Sequence, residues 1–250
     1  MWFVRGLLAA ALVAASPSYF AGPARSGESV TYRVTTTMGA QETPNVSTLV
    51  ITWTPAAHMF ARLAGASGAA VLVNRENDGS LSLAAPNPVG SAAPTIVVLL
   101  GQLNFPGHLA GALNGSDHAQ TAMSITPPAP TSTSSPAPQT SPAPVVVPLD
   151  VNLVRSSTGA TLIADGNSKQ NGASRSGREG RGGSTGGWRS GGSGRSRSDS
   201  AEKTSIVDIA VEAVFDQSGT LEHSTYRETF TSATNSSQTV EHTITIDRVK

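Results

Sequence analysis

The residues best suited to acid–base, nucleophilic or metal chemistry in this 250-residue sequence are five histidines and one short cluster. Ser116-Asp117-His118 holds the three residue types of a hydrolytic triad. Triad members converge from separate elements and hydrogen-bond in series, which three contiguous residues do not do. No Gly-x-Ser-x-Gly elbow occurs between a strand and a helix. His58, His108, His118, His223 and His242 show no HExxH or other ligand spacing. If the last hairpin turns near Ser232 and Ala233, His223 and His242 face each other, about 5 Å apart at Cβ. A metal there needs a third ligand, and none is evident, so a polar pair on the strand surface is expected. There is no P-loop, and no GxGxxG in a strand–turn–helix setting. Cysteine is absent, which removes disulfides, thiolate catalysis and Cys-ligated metals. The expectation is a chain with no catalytic, cofactor or metal site.

Two other groups of residues could bind. Between Lys169 and Ser198 the sequence is rich in Gly, Ser and Arg, with a net charge of about +6 by residue count. Arg175, Arg178, Arg181, Arg189, Arg195 and Arg197, with Trp188, could contact an anionic surface or polymer. Arg–Gly runs also bind RNA through phosphate contacts and stacking, but an exported chain rarely meets RNA, so nucleic acid is not the expected partner. A solvated loop is the plainer reading. The second group is aromatic. Trp53, Phe60, Phe105, Phe215 and Tyr226 are core residues first, and the candidate lining of a cavity for an apolar ligand second.

Export is read from the N-terminus. Arg5 precedes an uncharged apolar run, Gly6 to Ala15, too short to span a bilayer at ~20 residues. Val13-Ala14-Ala15 offers a small-x-small cleavage pattern, and a second candidate lies after Ala24. We read residues 1–24 as a signal peptide and expect a secreted or periplasmic protein without a transmembrane segment. With no Cys, a lipobox anchor is excluded.

The elements that must position these residues are mostly strands. Charged residues make up only 14% of the chain, while Gly (25) and Pro (16) are plentiful, which suits short strands and turns. Val30, Tyr32 and Val34 alternate with polar residues, as do Leu49, Ile51 and Trp53, predicting a hairpin. Asn77-Asp78-Gly79 between apolar runs predicts another. Ala56–Ala64 reads as a short helix ended by Gly65. The apolar run Thr95–Leu100 favours a strand, with a buried helix as the alternative, and Pro106, Gly107, Gly111 and Gly115 interrupt the stretch beyond it. The clearest pattern is C-terminal: Val207, Ile209, Val211, Ala213 and Phe215 face one way, and two further strands return to make a meander.

The count is eight to ten strands and at most two short helices. A Pro-rich loop (127–144) and the Gly/Ser/Arg-rich loop (168–200) read as two long disordered insertions between strands of one β-rich domain (27–250). The fold class is therefore all-β and mainly antiparallel, a curved sheet or incomplete barrel with one or two short helices on its concave side. Such a curved half-barrel resembles periplasmic lipoprotein carriers, a fold-level likeness that assigns no function. The expected role is an exported, non-catalytic binding or carrier module for an apolar small molecule or a protein partner. A structural or cell-surface protein touching anionic polymer or lipid through the Arg/Gly-rich loop is the alternative.

Overall fold

In the computed structural model, residues 18–39, 43–56, 58–65, 70–76, 81–84, 93–126, 144–169, 206–231 and 239–250 are described. Outside them lie residues 1–17, nearly all of both low-complexity stretches, and the Asn77-Asp78-Gly79 sequence expected to make a hairpin turn.

Alternating apolar residues build two meanders. The first comprises β1 (Ser29–Met38), β2 (Asn45–Trp53), β3 (Met59–Leu63), β4 (Val71–Arg75) and β5 (Leu81–Leu83). The second comprises β6 (His118–Ile125), β7 (Val145–Ser156), β8 (Gly159–Asn167), β9 (Ile206–Asp216), β10 (Leu221–Thr231) and β11 (Thr239–Val249). The first and last strands pair antiparallel, with Val34 opposite Ile246, and join both meanders into one eleven-stranded sheet. Its order is β5-β4-β3-β2-β1-β11-β10-β9-β8-β7-β6, so β5 and β6 are edges and the sheet does not close into a barrel. The Pro-rich and Arg-rich stretches fall between β6 and β7 and between β8 and β9, each pair being neighbours in this sheet.

Between the two edge strands runs the single α-helix among the described residues, α1 (Ala93–Ala112). It is twenty residues long and carries no Asp, Glu, Lys or Arg. Ile96, Leu99, Leu100, Leu103, Leu109 and Ala110 are buried at helical spacing and cover the inner face of the sheet. The expected strand at Thr95–Leu100 is thus a helix, because its apolar residues continue at a three-to-four-residue spacing beyond Leu100. Pro106 and Gly107 do not break it: both are buried within it, and packing outweighs their poor propensity. The short helix expected over Ala56–Ala64 is instead the strand β3. There Met59 and Ala61 face inward and Phe60 outward, and pairing with β2 and β4 on both sides overrides local helix propensity.

Helix α1 also finishes an edge. The Asn104 amide accepts from Leu81 N–H (2.6 Å) and donates to the Leu81 carbonyl (2.9 Å). It supplies the backbone partners that a further strand would have provided.

One end of the sheet is closed by the segment preceding β1. Phe20 N–H donates to the Gly219 carbonyl (2.9 Å) and Leu221 N–H donates to the Phe20 carbonyl (2.8 Å), docking the segment on the β9–β10 turn. Phe20 is 2% exposed, and Tyr19 packs on Phe215 with centroids 4.9 Å apart. The buried Tyr32 hydroxyl accepts from Gly22 N–H (3.0 Å) and donates to the Leu221 carbonyl (3.2 Å). The same turn is held by Asp216, whose carboxylate accepts from Ser218 N–H (2.8 Å), Thr220 N–H (3.0 Å) and Arg248 Nη1 (2.8 Å). Burial opposes that charge, but the hydrogen bonds outweigh it and hold the Asp216 carboxyl below its ordinary range.

Phe20→Ala should therefore cost about 3–5 kcal/mol, read as a lower denaturant midpoint, as for other buried aromatic deletions. Phe60→Ala, at an outward position 40% exposed, should stay within about 0.5 kcal/mol. Equal effects from the two would contradict this placement of the segment.

Candidate functional site

On β1 and β11, inward-facing side chains are dry at the Tyr32 end of the sheet and become exposed towards the other end, whereas Val207 of β9 stays buried there. Along β1, Val30, Tyr32 and Val34 are buried, whereas Met38 is 47% exposed. Along β11, Ile246 and Ile244 are buried, whereas Val240, in the same inward phase, is 40% exposed. Register places Val240 opposite Phe230 and His242 opposite both Met38 and Glu228. The concave face therefore has an open, largely apolar end.

One polar cluster stands on that wall. Tyr226 and Glu228 are two apart on β10 and so share the inner face, and His242 reaches them from β11. Glu228 is only 7% exposed, and its carboxylate oxygen lies 3.5 Å from His242 Nδ1. Tyr226 hydrogen-bonds the same carboxylate. Its ring meets Phe105 of α1 edge to face, with centroids 5.5 Å apart, and meets His242 at 6.5 Å. Burial first, then the Glu228 charge and hydrogen bond, pushes the Tyr226 phenol far above its ordinary value. The result is a carboxylate on an apolar wall, held by a phenol and an imidazole, beside an opening. It can accept hydrogen bonds from, or pair with, a donor group entering from solvent.

The expected cavity aromatics divide. Phe105 and Tyr226 meet at this cluster, and Trp53 sits part-buried on the inner face, 5.3 Å from the Arg75 guanidinium. Phe215 is in the closed core against Tyr19. Phe60 points to the outer face. Arg175, Arg178, Arg181, Trp188, Arg189, Arg195 and Arg197 lie outside the described residues.

His223 and His242 are not cross-strand neighbours. The β10–β11 pairing sets His223 opposite Asp247, a register that also puts the two histidines on opposite faces. His223 Nδ1 lies 2.8 Å from Asp247 on the outer face. Ser116-Asp117-His118 makes no relay either. The Ser116 hydroxyl lies 2.6 Å from the Leu113 carbonyl, Asp117 pairs with Arg155 (2.9 Å), and His118 faces Asn152 (3.1 Å) and Asp150 (3.2 Å). Among the described residues no group of three or more His, Asp or Glu could hold a metal.

The outer face carries a groove of about 700 Å³ lined by Asp150, Asp165, Asp208 and Asn167, among others. Across neighbouring strands, Asp150 stands opposite Asp165 and the Asn167 amide opposite the Asp208 carboxylate.

Glu228 is the candidate-site residue that motif reasoning misses. A signal is present, since Glu228 has the phase of Tyr226 and Phe230. It is a charged residue at an inward position.

No family model matches the chain, and no curated protein matches it. Among solved structures, a LolA superfamily protein from Nitrosomonas europaea aligns over 89% of this chain and 83% of its own, at 9% identity and a TM-score of 0.24. So low a score carries no weight for fold or function.

Tyr32 and Tyr226 both have burial-raised phenols, so the folded state keeps their protons more tightly than the unfolded chain. Their contribution to stability is intact below about pH 10 and is lost as pH rises above that, where the unfolded phenols ionise. Absorbance at 295 nm should show at most one of the three tyrosines ionised at pH 11 until the protein unfolds. Full ionisation of the folded protein at that pH would contradict the burial of both.

Proposed function

We propose that the protein is an exported, non-catalytic binding module that holds an apolar molecule against the concave face of its sheet, beneath α1. The polar end of the molecule sits at Tyr226, Glu228 and His242. The observation that carries this reading is the wetting of inward-facing apolar residues, Met38 and Val240, beside a buried carboxylate. An inner wall built only for stability would be covered along its whole length, since exposed apolar area forgoes about 25 cal/mol per Å². Export rests on the leader, and the working compartment on this reading is a periplasm or the extracellular space.

Native mass spectrometry of the mature protein, purified without detergent from the exported fraction, tests the proposal. The expected result is a discrete added mass that organic solvent extracts. A bare polypeptide overturns tight carriage. The site itself is tested with a fluorescent fatty acid as probe. Met38→Asp with Val240→Asp should weaken probe binding about tenfold or more, equivalent to about 1.4 kcal/mol. Phe60→Asp on the outer face should leave it unchanged.

A further inference from the structure

We propose that leader processing cuts the Ala15–Ser16 bond, so that the mature chain begins at Ser16 and keeps Tyr19–Gly22 as a working part of its core. The sequence offers two cleavage points, after Ala15 and after Ala24. They differ by nine residues, and those nine include the segment that closes one end of the sheet.

Cleavage after Ala24 would remove Tyr19, Phe20 and Ala21, all buried in the fold. It would leave Leu221 N–H without its acceptor, the Gly219 carbonyl without the Phe20 donor, and the Tyr32 hydroxyl without Gly22 N–H. The ring of Phe215 would lose Tyr19, and the Arg75 guanidinium would lose the Phe20 ring that it covers at 3.3 Å. Orphaned buried groups and an emptied aromatic site are among the costliest defects a fold can carry.

Residues far away in sequence are shaped to receive the segment. Gly219 has φ +80°, and a Cβ there would collide with the Ser18 carbonyl oxygen, so the turn makes room for this backbone. Gly22 has φ +118° and passes between Met59 and Ile51, where a Cβ would be 3.3 Å from the Met59 sulfur. Such fitting belongs to a segment present in the folded protein, whereas a discarded leader places no demand on a turn two hundred residues away. Upstream, Val13 and Ala15 supply the small residues that a signal peptidase accepts at the third and first positions before its cut. Water adds across the Ala15–Ser16 amide, leaving a carboxylate on Ala15 of the released leader and a free α-amino group on Ser16.

The test is the intact mass and N-terminal sequence of the full chain after export from a bacterial host. A mature chain starting at Ser16 supports the proposal. One starting at Arg25, at any other residue, or with the leader retained overturns it. Two variants are read by mass in denatured extracts, where folding does not matter. Ala15→Phe should leave the precursor as the main species, a loss of processing of tenfold or more, and Ala24→Phe should be cut as the parent is. The reverse pattern overturns the assignment.

Discussion

The structure depends on one constraint: an eleven-stranded sheet has a single apolar face to keep from water, and its two edges do not pair with each other. The chain meets both demands with one element. Because α1 connects β5 to β6, it runs from one edge to the other across the mouth of the curve. Its lack of charge allows it to lie on apolar residues from several strands, and Asn104 gives Leu81 the hydrogen bonds a missing strand would have made. A longer or more polar connection would leave the edge groups of β5 or the inner wall exposed to solvent.

The ends of the chain are bound by the same constraint. The pairing of β1 with β11 unites the meanders, and the Tyr32 hydroxyl then ties the N-terminal segment to β10. These are the longest-range contacts in the molecule, with high loop-closure entropy. Residues 18–22 and the last strand thus complete the same closed end, where Phe215, Leu221 and the Asp216–Arg248 pair also meet. The opposite end has no equivalent plug among the described residues, and there Met38 on β1 and Val240 on β11 are exposed while Val207 on β9 stays buried. This asymmetry places the Tyr226–Glu228–His242 cluster towards the end where Met38 and Val240 are exposed.

Much of this is legible in residue pattern alone. Period-2 alternation locates β1, β2 and the C-terminal meander, because a half-buried antiparallel strand writes its two faces directly into the sequence. The antiparallel, all-β character follows from that alternation, whereas only the strand order shows that the sheet stays open. The helix is harder. Thr95–Leu100 is β-branched and apolar throughout, and a continuous apolar run has no period to distinguish a buried strand from a buried helix. Ala56–Ala64 misleads for the converse reason. Its residues favour helix locally, and only pairing on both sides with β2 and β4 makes β3.

Register is beyond the sequence. The β10–β11 register differs from the one a turn near Ser232–Ala233 implies, and it exchanges His223 for Glu228 as the partner of His242. That shift changes a supposed surface pair into an outer-face His–Asp contact and an inner-face carboxylate cluster, since every side chain changes face with a one-residue slip. By itself, then, the sequence determined which segments alternate, that disulfides and thiolate ligands are absent, and that a short uncharged apolar run, Gly6 to Ala15, precedes the β-rich segments. The tertiary structure alone decided that the first strand pairs with the last, that α1 bridges the two edges, and that Phe20 is core. Those outcomes rest on contacts between residues far apart in the chain, and no local preference carries such information.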